Sequence, residues 1–466
     1  MMSAQNELTP SLRDQKNIAS SSVTDFGLKL EQNSFHAIKN PKGIIDLGST
    51  ANELMLDDLS GWTKKNVKKG QLRETLGYEH RQGPASVTKA AAEFINEHFR
   101  VRLPLADDNV LAANDTYILL DILIHNIADE GDTILIPTPS SGISSHDAWA
   151  KNAVHVVEVP CNDIPEERLW GPPPPEDAPI QIPELVKRLE AAVEVELSQK
   201  RKVRAIFLAN PNNPLGPCYA AHVLLQVSQL CVKHEIHLIV DETYAMSTGD
   251  RFSSILSLDL NMGVTTVHVL WGMSKDLGFG SLGAAFLATY NRRIYDVMRS
   301  SSDSSWVSSS SATVAAKLLS DSKYIRNHYL PALRRRLNKR RKSLEEALDG
   351  YDIPYDKSEA GFFVSVDLSK WLELSPRKHD KESTMAFLEY MMEQRVFLEP
   401  SETFCSKQPS WYRLGFGGEK ETFKLGLQRL LHCLRRLDGK PYTEPFALPT
   451  ELYFPPSKGM AHFSMT

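Results

Sequence analysis

The feature that most constrains this chain is a set of short, nearly unbroken apolar runs, each of which ends abruptly in polar residues. Four stand out: DTILIPTP (132–139), VRAIFLAN (203–210), IHLIVDETY (236–244) and TTVHVLWGMSK (265–275). They are rich in β-branched residues and show little alternation, the pattern of strands covered on both faces. Helical segments lie between them. YAAHVLLQVSQLCVKH (219–234) is one, and Thr116 to Ala128, with Asp115 placed to cap it, is another. Strand–helix alternation predicts an α/β fold with a mostly parallel sheet and helices on both faces. From Asp321 to Leu437 the pattern changes to a long basic helix, a strand GFFVSVDL (361–368) and further helices. This predicts a smaller α+β domain, completed by an N-terminal segment. The expected organisation is an arm (1–24), the N-terminal segment of the small domain (25–60), a large domain (61–320), the C-terminal part of the small domain (321–438) and an irregular tail (439–466). GPPPPEDAP (171–179) predicts a proline-rich surface loop.

Composition narrows the function classes. With 42% hydrophobic and 24% charged residues the chain is ordinary for a globular protein, which excludes wholesale disorder and a fibrous rod. Its 53 basic and 58 acidic residues leave a net charge of −5, so a protein that coats nucleic acid is not expected. The basic run RRRLNKRRK (334–342), followed by Glu345 and Glu346, is read as a solvated helix face. The five cysteines (Cys161, Cys218, Cys231, Cys405 and Cys433) form no CxxC pair, and the histidines form no HxxxH pair on a predicted helix. Neither a disulfide framework nor a metal site is expected. The N-terminus lacks the apolar core of a secretory signal, and no apolar run reaches membrane-spanning length. A cytoplasmic protein without membrane partners is the expectation.

In a parallel sheet, chemistry concentrates at the C-terminal ends of the strands. Three runs end in Asn210-Pro-Asn-Asn-Pro-Leu-Gly216, Asp241-Glu-Thr-Tyr244 and Ser274-Lys-Asp-Leu-Gly278. Singly, these are ordinary turn, cap and surface residues. In this order, followed by Arg413 in SWYRLGF, they resemble the fold-type I pyridoxal-phosphate enzymes of the aminotransferase superfamily. Within it the chain looks most like the aminocyclopropane-carboxylate synthase-like members of a fungal subgroup. The phrases GIIDLGSTANEL, IADEGDTILIPTP, NPNNPLG, DETYA, SKDLG, LLSDSKYI and GFFVSVDL carry that likeness from Gly43 to Leu437.

The resemblance implies a large domain with a seven-stranded sheet, pyridoxal 5′-phosphate as cofactor, an amino-acid substrate and a homodimer. It implies that Lys275 holds the cofactor aldehyde and shuttles the substrate proton, as an amine with a lowered pKa can. Asp241 would keep the pyridine nitrogen protonated, and Asn213 and Tyr244 would bond the phenolic oxygen. Arg413 would grip the substrate carboxylate as a fork. The cofactor phosphate would rest on the helix N-terminus at Asn114, Asp115, Thr116 and Tyr117.

The chain also departs from the family pattern. Gly283 stands where a phosphate-gripping arginine is usual, and Gly272 where a serine is usual, with Ser274 as its substitute. Ser140 and Ser141 stand where an aromatic ring covers the cofactor. Ala51 replaces an acidic residue and Arg81 a tyrosine near the substrate. Two readings follow: a decaying pocket, or one remodelled for a larger or more acidic substrate. The functions implied are transamination in a fungal secondary-metabolite or toxin pathway, carbon–sulfur lyase chemistry on cysteine conjugates in such a pathway, or an idle binding protein on the same fold.

Overall fold

The structure is a computed structural model that describes residues 22–68, 85–141, 151–169, 171, 182–248, 252–302, 305–376, 383–404 and 410–439. Most of the expected arm, the proline-rich loop, the tail beyond Gly439, Arg81 and Cys405 lie outside the described residues.

In chain order the strands are β1 (Ile45–Asp46), β2 (Val110–Ala113), β3 (Thr133–Thr138), β4 (His155–Pro160), β5 (Val203–Ala209), β6 (His237–Asp241), β7 (Val267–Gly272), β8 (Ala285–Thr289), β9 (Phe363–Asp367), β10 (Val396–Phe397), β11 (Glu399–Pro400) and β12 (Trp411–Gly415). Seven of them form one sheet in the order β2-β8-β7-β6-β5-β3-β4. Only β8 runs against its neighbours, β7 and β2. The sheet is thus mostly parallel and of α/β type, as the apolar runs predicted.

The apolar runs are continuous because each strand feeds two cores. Along β5, Ile206 and Leu208 pack into one cluster, while Ala205, Phe207 and Ala209 pack into another on the opposite face. Leu238 and Val240 of β6 point to the first cluster, and Ile239 to the second. With a period of two and both faces covered, every position in the run must be apolar. Helices Thr116–Ile127 and Arg292–Ser301 cover the second face; Ala85–His98, Glu184–Ser198 and Ala221–His234 contribute to the first.

The strands end earlier than the apolar runs suggest, and the reasons are local. β6 stops at Asp241, whose carboxylate accepts the Thr243 N–H at 3.0 Å and turns the chain. β7 stops at Gly272, so Lys275 sits on the one-turn helix Met273–Asp276 and not on the strand end itself. That turn is pinned by Asp276, whose Oδ2 accepts Trp271 Nε1 at 3.0 Å and Met246 N at 2.9 Å.

The smaller unit holds the antiparallel sheet β11-β12-β9 and the parallel pair β1–β10. Long helices Leu330–Asp349 and Lys420–Leu437 pack on it. The basic run is not simply a solvated face. Arg340 is buried over the Phe423 ring, Arg341 lies over Phe416, and Arg336 donates to Leu54 O at 2.7 Å and Asp58 Oδ2 at 2.6 Å. Helical spacing puts some of these arginines on the inward side, where aromatic faces and carbonyls receive them. Among the described residues no helix is long and apolar enough to cross a membrane, and no cluster of three metal-ligating side chains occurs.

Candidate active site

The C-terminal ends of the parallel strands open into a cavity of about 360 Å³ between the two units. Thr116 and Tyr117 line it from the capped helix. Asn213 lines it from the loop after β5, Asp241 and Tyr244 from the end of β6, Lys275 from the turn after β7, and Arg413 from β12. Seven residues proposed from sequence, spread over almost 300 positions, meet in this one space. Ser274 and Ala51 do not join them. They line a neighbouring cavity of about 610 Å³ that shares Lys275, Ser49 and Thr50 with the first and has Leu56, Leu59, Phe279 and Leu282 on its wall.

Lys275 Nζ donates to Thr50 Oγ1 at 2.8 Å and to Thr50 O at 3.2 Å. Burial, reinforced by Arg413, lowers its pKa to about 8; Asp115 and Asp241 oppose the shift. Tyr244 donates its hydroxyl to the same Thr50 Oγ1 at 2.7 Å, and burial pushes the phenol up to about 12. Its ring meets Phe363 edge-on at 5.3 Å, which fixes the hydroxyl's direction. Asp241 is raised from the ordinary carboxylate range by burial, against the pull of Thr243 and Lys275. A buried carboxyl in that position gains most from a cationic partner.

Arg413 is buried and held in plane. Its Nε and one terminal nitrogen donate to Gly48 O at 3.2 and 2.8 Å, and the other donates to Asn213 Oδ1 at 2.9 Å. The guanidinium lies 4.6 Å from the Phe404 ring centroid. Asn213 thereby spends its carbonyl oxygen on Arg413 and keeps its amide donor. Of the two serines that replace an aromatic, Ser141 lines the cavity and bonds the Tyr117 side chain. Ser140 is buried, its N–H given to Phe404 O at 3.0 Å.

Sequence reasoning missed Thr50 and Glu399. Thr50 is buried and joins Lys275 to Tyr244; it lies beside Ala51 in a quoted phrase, yet nothing local marks its hydroxyl as shared. Glu399 lines the cavity opposite Arg413 in the β11–β12 register, raised by burial and pulled down by Arg413 and Thr403. Only strand pairing reveals it.

The end of the cavity formed by the helix Thr116–Ile127 is unlike the end formed by Lys275 and Asp241. Asp115 caps the helix Thr116–Ile127, its Oδ1 accepting Tyr117 N at 2.8 Å. Gly283 has φ of +49°, and a Cβ there would lie 2.8 Å from Asn114 O. A side chain at this position would be strained and would press on the Asn114 carbonyl, so the backbone here suits glycine.

The sequence profile of the family described as aminotransferase class I and II matches residues 42–430, and the chain belongs to that family. Its members are pyridoxal-phosphate dependent, and the fold is that of their fold type I. More particularly, the chain is 30% identical over 420 residues to the 1-aminocyclopropane-1-carboxylate synthase-like protein 1 of Bos taurus, covering 90% of this chain and 80% of that one. It is 26% identical over 408 residues to the "Probable inactive 1-aminocyclopropane-1-carboxylate synthase-like protein 2" of Mus musculus, covering 87% and 68%. A Thermus thermophilus aspartate aminotransferase double mutant shares the fold with a TM-score of 0.67 at 18% identity, over 92% of this chain and all of that one.

The residues at the Lys275 and Asp241 end fit this cofactor: a low-pKa amine, a buried carboxylate, and amide and phenol donors line one cavity of small-molecule size.

Proposed function

We propose that this chain is an enzyme that uses pyridoxal phosphate to act on an α-amino acid or an intermediate derived from one, and that its reaction is transamination. One observation carries the reading: a lysine with its pKa lowered to about 8 shares a cavity with a buried acid and a fixed arginine fork. Coincidental strand ends do not place these three groups together. When bound, the cofactor supplies an electron sink for the substrate α-carbon.

The chain's own residues do the rest. Lys275 Nζ would hold the cofactor's aldehyde carbon and, once displaced by substrate, take the proton from the substrate α-carbon and return it. The neutral amine is the working form, and burial makes it available near neutral pH. Asp241 would hold the ring nitrogen's proton. Asn213 Nδ2 and the Tyr244 hydroxyl would donate to the phenolic oxygen, the hydroxyl leaving Thr50 to do so. Arg413 retains terminal N–H groups for a carboxylate, and its bonds to Gly48 and Asn213 fix the plane in which they point.

A second reading, carbon–sulfur lyase chemistry on cysteine conjugates, is favoured by the larger cavity beside Lys275, whose leucine and phenylalanine wall suits a bulky apolar substituent. Action as a homodimer, and a place in secondary-metabolite or toxin biosynthesis, belong to this proposal on the strength of the sequence resemblance. The test is product analysis with purified protein and added cofactor. Turnover that requires a 2-oxo acid supports transamination. Pyruvate and ammonia released from a cysteine conjugate without an oxo acid replaces it with the lyase. No visible colour on adding pyridoxal phosphate, or borohydride labelling of a lysine other than Lys275, refutes both in favour of an idle fold.

A further inference from the structure

Resting on the cofactor reading above, a deeper statement concerns how the site treats the cofactor's phosphate. In the pyridoxal ring the aldehyde carbon is flanked by the phenolic oxygen on one side and the phosphate-bearing arm on the other. With the aldehyde at Lys275, the nitrogen at Asp241 and the phenolic oxygen at Asn213 and Tyr244, the arm points toward Thr116 and Tyr117, the helix residues that line the cavity. A helix N-terminus is ordinarily a good place for an anion, because its first N–H groups lack partners. This one is compromised. The Tyr117 N–H is already given to Asp115 Oδ1 at 2.8 Å. One residue before the cap, the Asn114 N–H is also taken, given to Ser305 O at 3.3 Å.

Charge acts in the same direction. Asp115 lies close enough to interact electrostatically with both Lys275 and Asp241, so its carboxylate stands within the field of the site. Among the described residues lining the cavity the cations are Lys275 and Arg413, which serve the aldehyde and the substrate. Gly283 is held against the Asn114 carbonyl, so that position provides no cation either, and a Cβ on Gly272 would press on Thr116 Cγ2 at 3.2 Å. A phosphate arriving here meets a carboxylate in competition for the same amide, and among the described residues lining the cavity no arginine besides Arg413 stands by to offset the repulsion.

We propose that Asp115 is a specificity-determining residue for the form of the cofactor: it weakens the hold on the 5′-phosphate, so that the site accepts unphosphorylated pyridoxal nearly as well as its phosphate ester. Asp115→Asn tests this cleanly, since asparagine caps a helix as well as aspartate does and removes only the charge. Cofactor-free full-length protein is titrated with pyridoxal phosphate and with pyridoxal, binding being read from visible absorbance and from equilibrium dialysis. In the natural sequence the two dissociation constants should lie within about tenfold of each other, a difference of roughly 1.4 kcal/mol. In Asp115→Asn the constant for pyridoxal phosphate should fall at least about tenfold, while that for pyridoxal stays within about twofold. Strong preference for the phosphate in the natural sequence, unchanged in Asp115→Asn, overturns the proposal and leaves the proposed function standing. Absence of a visible band with either compound overturns the proposed function and this inference with it. A lower melting temperature in Asp115→Asn would show the cap to be disturbed. Asp115→Ser, an equally good cap, then takes its place and must show the same gain in phosphate affinity or the proposal fails.

Discussion

Replacing Thr50 by valine removes one oxygen and almost no volume, and that oxygen accepts from two site residues at once. Tyr244 donates to it at 2.7 Å and Lys275 at 2.8 Å, in a buried setting. Two consequences follow, with separable magnitudes. The Tyr244 hydroxyl loses its acceptor while buried, which costs roughly 1–3 kcal/mol of folding stability. The Lys275 ammonium loses a charge-assisted bond worth roughly 1.5–3 kcal/mol, but keeps the Thr50 carbonyl at 3.2 Å, so the lower part of that range applies. A bond lost from the charged form favours the neutral form, and at about 1.4 kcal/mol per pKa unit the amine should fall by about one unit, from about 8 toward about 7. The assay is the pH dependence of the rate at which Lys275 is trapped by pyridoxal phosphate and borohydride, located by peptide mass spectrometry, with calorimetry alongside. Thr50→Ser should restore both properties. An inflection that stays in place or moves upward in Thr50→Val, with stability unchanged, would refute the claim that Thr50 joins Lys275 to Tyr244.

Other expectations are more direct. Arg413→Lys should raise the substrate KM about tenfold or more while the visible spectrum of bound cofactor stays normal, because lysine cannot reproduce the fork held by Gly48 and Asn213; a collapsed spectrum would make Arg413 structural. Glu242 is buried, with its oxygens bonded to Ser254 and Ile255, and burial raises it from 4.5 to about 8. The folded chain therefore keeps a proton that the unfolded chain loses. Its stabilising contribution is complete below about pH 4.5 and is lost as pH rises toward 8, by at most about 1.4 kcal/mol per pH unit. Glu242→Gln should melt like the natural sequence near pH 5 and higher than it near pH 8; identical melting curves at both values would contradict the raised pKa. Gly283→Arg should lose roughly 1–3 kcal/mol of stability without tightening pyridoxal phosphate, because the left-handed backbone and the Asn114 carbonyl refuse a side chain there. Tighter binding at full stability would show that the position is open after all.

The sequence by itself determined four of the seven strands of the large sheet, β3, β5, β6 and β7. Continuous apolar runs are demanded when alternate residues feed two separate cores, as Ile206 and Phe207 do, so strand identity and the mostly parallel class are written locally. It also determined which polar clusters would converge, since parallel strands deliver their C-terminal ends to one edge. Lys275, Asp241, Tyr244 and Asn213 lie at or just after the ends of parallel strands, and with Arg413, which stands on antiparallel β12, they could be nominated because their order resembles that of the aminotransferase superfamily. Tertiary structure decided what those residues do to one another. Thr50 acquires its place because the loop before helix Leu56–Asn66 arrives beside a lysine 225 positions later. Glu399 faces the cavity because β11 pairs with β12 in one register. The inward arginines of the basic helix and the closed space at Gly283 depend on neighbours remote in sequence. Asp115 shows both levels in one residue. Its role as a helix cap is local and legible, whereas its charge becomes a statement about the cofactor's phosphate only once folding sets that cap at the edge of the cavity holding Lys275. Hydrogen-bond caps are short-range and leave a sequence signature; electrostatic competition for a ligand is a property of the assembled site.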